Sequence, residues 1–348
     1  MGNLPDGSRI EAVEADCLIG FDGYIDELYA VVSKRRNPEN YTRTEFIEEF
    51  GQRILSAAHR SADIEIVPLK TSFGGNAPIM AHALASLGYR TVCIGNMDCG
   101  SGEDPFLQMH PSCTKISTGQ TNRTIALEFT DGKIMLGNLM GNHIGWEGIR
   151  RKIGIAKLGK LVHSCRLIGM VNWSGMLRMN EIMRGFYQEL LLPLGEEQRE
   201  KREKKDVFLD LADPSARSED DLRELFGLVR TMASTVQVTL GMNENEAIKI
   251  GQAMGLEESN LMKHGEAIRS ALSLYQVVIH THDFVVGCRA EQTEKIANQR
   301  IEHPVSATGA GDHFNAGFCM GLLEKKSLKE CMELGQAVAF QYVSTGVV

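Results

Sequence analysis

The chain has 348 residues, with 37 Lys and Arg against 45 Asp and Glu and a formal net charge of −8. This acidic balance excludes a general electrostatic attraction to nucleic acid or anionic lipid. A hydrophobic fraction of 43% with 24% charged residues excludes disorder as the main state, and the sequence has no apolar run of the roughly 18 residues that a transmembrane helix needs.

The cysteines and the first residues bear on the cellular compartment. The 8 cysteines include no C-x-x-C pair, which argues against a zinc site. The N-terminal residues lack a basic segment followed by an apolar stretch, so we expect no signal peptide. We therefore expect a cytoplasmic protein with reduced, buried thiols.

Short apolar runs alternate with helical patterns along most of the chain. The helical patterns are at residues 45–59, 77–87, 180–191, 222–232, 244–254 and 265–273. The apolar runs, read as strands, are at residues 17–21, 91–95, roughly 161–171, 207–211, 235–240 and 275–280. Because strands and helices alternate, the sequence predicts an α/β fold with a parallel sheet covered on both faces.

Residues 121–136 break this rhythm. Ile125, Leu127 and Phe129 alternate with polar residues, and Asp131-Gly132 then precedes a second apolar run. Asp-Gly between two such runs predicts a β-hairpin. Within a parallel α/β chain the hairpin is a candidate lid or dimerisation flap; the alternative is an edge hairpin of the main sheet.

The most informative stretch is residues 306–312, Ser-Ala-Thr-Gly-Ala-Gly-Asp, which leads into a helical pattern. Its small residues allow backbone N–H groups to approach an anion, and the helix N-terminus adds partial positive charge. We expect this dipole to keep Asp312 ionised at pH 7, as a base that accepts a proton from an alcohol during phosphoryl transfer. The alternative is an ordinary glycine-rich turn with a capping Asp.

Two earlier stretches could bind a polyol. Gly74, Gly75 and Asn76 precede an apolar helix, and Asp22 and Asp26 follow the first predicted strand. Glycines admit a ligand against the backbone, whereas amide and carboxylate groups hydrogen-bond to hydroxyls. Helix capping by Asn76 and solvated turn carboxylates are the alternatives.

A weaker motif is Asn243 followed by Glu246. The pair could order water molecules around Mg²⁺ near phosphates. Taken alone, the spacing is more typical of a capping box at the start of a helix.

In this order, the motifs resemble the ribokinase-like (PfkB) carbohydrate kinase family. Its signature, usually D-T-T-G-A-G-D, corresponds to residues 306–312, and its Gly-Gly-Asn loop to residues 74–76. Its N-x-x-E motif corresponds to Asn243 and Glu246. Residues 213–217, Asp-Pro-Ser-Ala-Arg, resemble its D-P-N-x-R motif, although Asp210 competes for the same alignment.

The resemblance implies a three-layer α/β/α ribokinase-like fold with a mainly parallel central sheet and a small β lid. One kinase domain would span residues 12–346, and the hairpin at 121–136 would contribute to the lid. The implied reaction moves the γ-phosphoryl group of Mg-ATP to a hydroxyl of a sugar or nucleoside. Asp312 would be the catalytic base, with Gly309, Ala310 and Gly311 as the anion hole.

The resemblance also implies binding residues and a homodimer. The implied acceptor-binding residues are Asp22, Asp26, Gly74, Gly75 and Asn76, with Arg123 and Asn172 as further candidates. The implied nucleotide-binding residues are Asn243, Thr281, Thr308, Gly309, Gly311 and Gln336. Asn243 and Glu246 would hold Mg²⁺ through water.

Two departures from the family pattern leave alternatives open. Ser306 replaces an Asp that helps to form a monovalent-cation site in the family, which argues against a K⁺ requirement. Residues 280–287 lack the glycine of the family's phosphate loop at the expected turn. The alternatives are therefore a kinase that uses ADP as donor, or a non-catalytic sugar-binding or regulatory relative.

Overall fold

The computed structural model describes residues 14–138, 143–198, 204–256, 260–301, 304–305 and 308–348. Ser306 and Ala307, which open the predicted anion-hole loop, lie outside the described residues, as does the N-terminal segment 1–13 that contains the predicted start of the domain. The strands are β1 Cys17–Gly20, β2 Tyr24–Arg35, β3 Tyr41–Arg43, β4 Ile66–Gly74, β5 Thr91–Gly95, β6 Cys113–Ser117, β7 Asn122–Phe129, β8 Gly132–Asn138, β9 Leu167–Met170, β10 Asp206–Asp210, β11 Gln237–Asn243, β12 Gln276–His280, β13 Phe284–Arg289 and β14 Gln292–Ala297.

Helices cover both faces of the larger sheet. They are α1 Ile47–Ser56, α2 Asn76–Ser86, α3 Trp146–Ile153, α4 Ile155–Ser164, α5 Met179–Phe186, α6 Leu192–Gln198, α7 Glu219–Thr235, α8 Glu244–Ala253, α9 Leu261–Ala271, α10 Ala310–Leu323 and α11 Leu328–Thr345. A π-helical turn, Tyr187–Leu191, joins α5 to α6. One core lies between the sheet and helices α3 to α9, and the other lies under α2, α10 and α11.

The larger sheet has nine strands in the order β14-β13-β12-β11-β10-β9-β1-β5-β6. Strands β12 through β6 run parallel, and β13 and β14 add an antiparallel edge. Leu18 of β1 belongs to one core and Ile19 to the other, so the central strands are apolar on both faces. The predicted three-layer α/β/α architecture is confirmed.

The prediction of a strand over residues 161–171 was partly wrong. Residues 155–164 form α4, and the strand is limited to Leu167–Met170. Leu158, Leu161 and Val162 recur at helical spacing and pack into the core, so this apolar run joins the end of a helix to a strand.

A second sheet stands apart from the first, in the order β3-β2-β7-β8 with β4 paired to β2. Strands β7 and β8 form an antiparallel hairpin that pairs with β2 rather than with an edge of the main sheet. Helix α1 packs on one face of this sheet, where Phe50 meets Val31, Leu127 and Phe129. The sequence pattern did not predict β2 and β4, because only one face of this sheet is covered and both strands therefore mix polar with apolar residues.

A buried arginine holds the loop that follows β9. The Arg217 side chain is only 3% exposed, and its guanidinium donates to the carbonyl oxygens of Trp173 at 3.0 Å and Met176 at 3.1 Å. The guanidinium carbon also lies 4.2 Å from the centroid of the Trp173 ring. Arg217 therefore fixes the backbone immediately after Asn172, which is a candidate site residue.

We expect Arg217→Lys to lower the free energy of unfolding by about 2 kcal/mol, because an ammonium group cannot reproduce the fork of donors or the planar stacking. Urea unfolding monitored by circular dichroism measures the change. The matched control is Arg223→Lys, at a side chain that is 70% exposed. Equal, small effects for the two variants would show that the Arg217 contacts contribute little to stability.

Candidate active site

Asp22 lies in the loop that connects the two sheets, and it is completely buried. Its carboxylate accepts hydrogen bonds from the backbone N–H groups of Asn76 at 3.0 Å and Ala77 at 2.8 Å, and from Nδ2 of Asn172 at 2.6 Å. Burial raises the pKa of Asp22 to about 6, against these three hydrogen bonds, which lower it. Asp22 is thus not a solvated turn residue; it accepts from the otherwise unpaired N–H groups at the start of α2.

The two glycines before α2 allow two carboxylates to approach the backbone. A Cβ atom at Gly74 would overlap the carboxylate of Asp26, and one at Gly75 would lie 2.8 Å from Oδ2 of Asp22. Gly75 also has a φ of 95°, in the region that favours glycine. The Thr124 side chain hydrogen-bonds to Asp26, whose pKa burial nevertheless raises. The structure therefore brings together Asp22, Asp26 and the Gly-Gly-Asn loop.

Asn172 and Arg123 have different positions relative to this cluster. Asn172 belongs to it: Nδ2 donates to Asp22, and Oδ1 accepts from the backbone N–H of Gly175 at 3.0 Å. Arg123 is paired in register with Ile25, so it lies on the opposite face of the second sheet from Asp26. There its guanidinium pairs with Glu27 at 2.5 Å. The structure does not bring Arg123 to the cluster.

Asp312 is in the first turn of α10, after the N-cap Gly309, whose φ is 88°. Its partly buried carboxylate is hydrogen-bonded by the side chain of Asn76, which links it to the Asp22 cluster. Burial and the neighbouring carboxylates of Asp210, Asp22 and Glu246 hold the pKa of Asp312 well above its usual range. These surroundings therefore oppose the helix dipole, which favours the ionised form of Asp312.

Asp210 is the last residue of β10 and is buried. Its Oδ1 accepts from the backbone N–H of Ala212 at 2.8 Å, and its Oδ2 accepts from Nδ2 of Asn315 at 2.6 Å. Asn315 is fully buried on α10, three residues after Asp312. The Asp210–Asn315 bond therefore ties the end of a central strand to the first turns of the helix that carries Asp312.

Asn243 and Glu246 form a complete capping box at the start of α8. The Asn243 Oδ1 accepts from the Glu246 N–H at 2.9 Å, and Glu246 Oε2 accepts from the Asn243 N–H at 2.9 Å. Burial and the nearby Asp210 raise the pKa of Glu246 to about 7. The capping interpretation therefore holds, and the same carboxylate contributes negative charge to the site.

The neighbouring carboxylates predict an unusual pH dependence of stability. A carboxyl group with a raised folded-state pKa stabilises the fold fully below its unfolded pKa of about 4, and this stability is lost as the pH rises through the folded value. We expect the free energy of unfolding of Asp312→Asn to exceed that of the wild type by more than about 1 kcal/mol at pH 8. Near pH 4 the two free energies should be equal. Urea unfolding across this pH range checks it.

The control for this experiment is Asp220→Asn, since the Asp220 side chain is 89% exposed. This substitution removes a surface carboxylate and leaves the buried site intact. A difference for Asp312→Asn that is independent of pH would contradict a raised pKa at Asp312.

A cavity of about 580 Å³ opens on the other side of the α10 N-terminus. Ala310 and Gly311 of the first turn line it. Lining residues from the other walls include Ile301, Pro304, Gln336, Phe340 and Val343. A mostly apolar cavity of this size with a few polar groups is typical of a small-molecule site.

Gln336 lies in the wall of this cavity with a defined amide orientation. Its Nε2 donates to the carbonyl oxygen of Ala297 at 3.0 Å and to Oδ1 of Asn298 at 2.6 Å. Asn298 in turn donates from Nδ2 to the carbonyl oxygens of Thr281 at 2.8 Å and His282 at 3.1 Å. Each of the two side-chain NH₂ groups donates to two oxygen atoms, which fixes the orientation of both amides. Oε1 of Gln336 therefore faces away from these contacts and can accept a hydrogen bond.

Thr281 and Thr308, both predicted to bind the nucleotide, make different hydrogen bonds within the protein. The Thr281 hydroxyl donates to the Phe284 carbonyl oxygen and accepts from the Asp283 and Phe284 N–H groups, so it shapes the turn after β12. The Thr308 carbonyl oxygen accepts from the Tyr342 hydroxyl at 2.8 Å. Thr281 lines the cavity, whereas Thr308 precedes the N-cap of α10.

Within the described ranges, no helix is long and apolar enough to cross a bilayer, and no cluster of three or more His, Cys, Asp or Glu side chains is arranged to enclose a metal ion. Asp22, Asp210 and Glu246 lie close enough to raise the pKa of Asp312, and Lys249 lies close enough to lower that of Glu246. Carboxylate oxygens are donors of the type that Mg²⁺ binds.

Sequence reasoning did not assign roles to Asp210, Asn315 or Asn298. Asp210 carried one signal, since a carboxylate at the carboxyl end of a predicted parallel strand lies where such sheets bind ligands. Asn315 and Asn298 carried none, because Asn315 binds Asp210 across 105 residues and Asn298 binds Gln336 across 38.

The first turn of α10 therefore lies between a polar cluster, formed by Asp22, Asp26, Asn76 and Asn172, and the mostly apolar cavity. Its N–H groups carry partial positive charge, and its carboxylate is hydrogen-bonded by Asn76 of the cluster. This arrangement can bind a polyol on one side and an anionic group with an apolar body on the other.

Comparison with known proteins agrees with this arrangement. The family model described as prokaryotic ketohexokinase matches residues 8–348. A ketohexokinase of Haloferax volcanii is 28% identical over 346 residues, which are 98% of this chain and 88% of that relative.

Solved structures show the same fold. The adenosine kinase of Sinorhizobium meliloti has a TM-score of 0.65 at 18% identity, covering 95% of this chain and 94% of that one. The Arabidopsis thaliana ribokinase, in complex with ribose and ATP, has a TM-score of 0.62 at 15% identity, covering 95% and 93%. On the match over nearly its whole length, this chain belongs to the prokaryotic ketohexokinase family of ribokinase-like proteins and is a carbohydrate or nucleoside kinase.

Proposed function

We propose that this chain transfers the γ-phosphoryl group of Mg-ATP to a hydroxyl of a ketohexose, with Asp312 as the general base. The observation that carries the proposal is the position of the first turn of α10. Asp312 is hydrogen-bonded by Asn76 of the polar cluster, and Ala310 and Gly311 of the same turn line the large cavity. A hydroxyl bound at the cluster and a phosphate in the cavity would meet at this turn.

The polar cluster supplies the acceptor site. Its partly exposed members, Asp26 and Asn76, combine a carboxylate acceptor with an amide that can donate or accept, which suits the adjacent hydroxyls of a sugar. The buried Asp22, to which Asn172 donates, accepts from the backbone N–H of Asn76 and holds it in place. The Haloferax volcanii relative is named ketohexokinase, as is the matching family. A ketohexose is therefore the first acceptor to test.

The cavity supplies the nucleotide site. Its apolar walls suit a purine ring, and the acceptor Oε1 of Gln336 suits the exocyclic amine of adenine. The N–H groups of Ala310 and Gly311, at the positive end of α10, suit the phosphates. We propose ATP and not ADP as the donor, because the Arabidopsis thaliana ribokinase, which has the same fold, was solved with ATP.

In the transfer, the acceptor oxygen forms a bond to the γ-phosphorus. The bond from that phosphorus to the bridging oxygen breaks, and its electron pair leaves with ADP. The hydroxyl proton passes to an Oδ atom of Asp312. The raised pKa of Asp312 strengthens its affinity for this proton, and the N–H groups of the α10 first turn stabilise the charge on the transferred group.

Magnesium fits the carboxylates on the nucleotide side. Glu246 and Asp210 would hold it through water, with Asn243 fixing Glu246 in place. When bound, Mg²⁺ neutralises phosphate charge. The chain's own contribution is to keep these carboxylates oriented by the backbone N–H of Ala212 and the capping box of α8.

In the proposed reaction the second sheet acts as a lid. Strand β2 begins beside the polar cluster at Tyr24 and continues into that sheet, where the hairpin of β7 and β8 pairs with it. A lid over the acceptor would exclude water, which would otherwise compete for the phosphoryl group.

The test is a phosphoryl-transfer screen with Mg²⁺, either ATP or ADP, and a panel of ketohexoses, other sugars and nucleosides, with and without K⁺. Products are identified by mass. A phosphorylated ketohexose that forms with ATP and is lost in Asp312→Asn supports the proposal. Transfer from ADP alone would overturn the donor assignment, and no transfer to any acceptor would overturn the proposed function.

A further inference from the structure

His280 ends strand β12 at the wall of the cavity, against the first turn of α10. A Cβ atom placed on Gly311 would lie 3.3 Å from Cε1 and 3.6 Å from Nε2 of the imidazole. The ring also faces Phe314, with 5.1 Å between the ring centroids. His280 therefore lies beside the N–H groups at the positive end of α10.

The imidazole of His280 has no hydrogen-bond partner in the part of the chain that the structure describes. Other inward-facing histidines do: His313 Nδ1 lies 2.7 Å from the Gly309 carbonyl oxygen, and His264 Nε2 lies 2.9 Å from that of Ala247. The His280 side chain is partly exposed and lines the cavity, so its ring is open to a ligand there.

The state of the ring suits hydrogen bonding rather than ion pairing. Burial lowers the pKa of His280 to about 4, so the imidazole is neutral at pH 7 and carries one N–H donor. The turn that follows has no glycine to bring its backbone close to an anion, and the Thr281 hydroxyl is used within that turn. The imidazole is thus the remaining polar group of residues 280–281 that is free to bind.

We propose that His280 donates a ring N–H hydrogen bond to a phosphate oxygen of the nucleotide, next to the N–H groups of Ala310 and Gly311. This inference rests on the proposed nucleotide site. Because the turn after β12 has no glycine at residues 281–286, its backbone cannot approach a phosphate closely. The His280 side chain would make the phosphate contact instead. This contact also explains why a polar ring is placed against an apolar one at the end of a buried strand.

The test compares ligands with and without phosphates by isothermal titration calorimetry in the presence of Mg²⁺. We expect His280→Phe to weaken ATP and ADP binding about tenfold or more, since a hydrogen bond to a charged group is lost, while adenosine binding changes less than about twofold. His280→Gln, which retains an N–H donor, should recover much of the ATP affinity. Circular dichroism and thermal unfolding verify that each variant is folded.

The matched control is His163→Phe on α4, at an exposed histidine that is not among the residues lining the cavity. Equal losses for the two histidines, or an equal loss of adenosine and ATP binding in His280→Phe, would overturn the inference. Binding does not depend on turnover. Wild-type protein that binds ATP but transfers nothing would therefore refute the proposed reaction and still decide the role of His280, whereas wild-type protein that binds neither nucleotide would overturn both.

Discussion

Asp312→Asn is expected to lower kcat by about 10²–10⁴-fold, with the KM values of both substrates changed only a few-fold. The amide has nearly the same shape and keeps a hydrogen bond to Asn76 within reach, so both ligands should still bind. It cannot accept the hydroxyl proton, so the step that depends on the base is slowed. Steady-state rates with varied acceptor and varied ATP separate kcat from KM.

The pH profile gives a second test of the same residue. Because burial and three other carboxylates raise the pKa of Asp312, wild-type kcat/KM should fall as the pH drops through this raised value. The residual rate of the Asn variant should not show this titration. Retained turnover in Asp312→Asn, with normal turnover in the exposed control Asp220→Asn, would remove Asp312 from the role of base.

Asp22→Ala is expected to lower the free energy of unfolding by about 3 kcal/mol or more. The substitution leaves the N–H groups of Asn76 and Ala77 and the amide of Asn172 without their shared acceptor in a buried position. Because Asn76 also contacts Asp312, we expect KM for the acceptor to rise in whatever fraction remains folded. Urea unfolding and steady-state kinetics measure the two effects.

Two controls separate this loss from that of an ordinary turn carboxylate. Asp98→Ala removes the acceptor of one exposed bond, from the Gly100 N–H at 2.9 Å, and should cost less than about 1 kcal/mol. Asp22→Asn keeps one acceptor oxygen and should recover part of the stability. If Asp22→Ala were no more harmful than Asp98→Ala, the buried carboxylate would not organise the start of α2.

The main sheet could be predicted from the sequence because both its faces are covered. Strands such as β1, β5 and β9 are therefore short apolar runs, and each can be recognised without knowing its neighbours. Strand β2 is 12 residues long but mixes Asp26, Glu27 and Lys34 with apolar residues. Its pairing with β4 and β7 depends on distant segments, so local patterns did not reveal it.

The candidate site divides in a similar way. Backbone conformation and spacing are local, so the glycines before α2 and α10 and the capping pair Asn243 and Glu246 could be recognised in the sequence. Contacts between distant segments could not. Gln336 donates a hydrogen bond to Asn298 across 38 residues, and Asn315 donates one to Asp210 across 105.

The sequence by itself determined the α/β class, the motif order of the ribokinase-like family and the position of Asp312 in the first turn of a helix. Only the tertiary structure decided the electrostatic state of that carboxylate. A helix dipole acts within one turn and favours the ionised form, whereas Asp22, Asp210 and Glu246 come from three separate segments and oppose it. Long-range folding brings these like charges into one buried site, where the low dielectric strengthens their repulsion and raises the pKa of the proposed base.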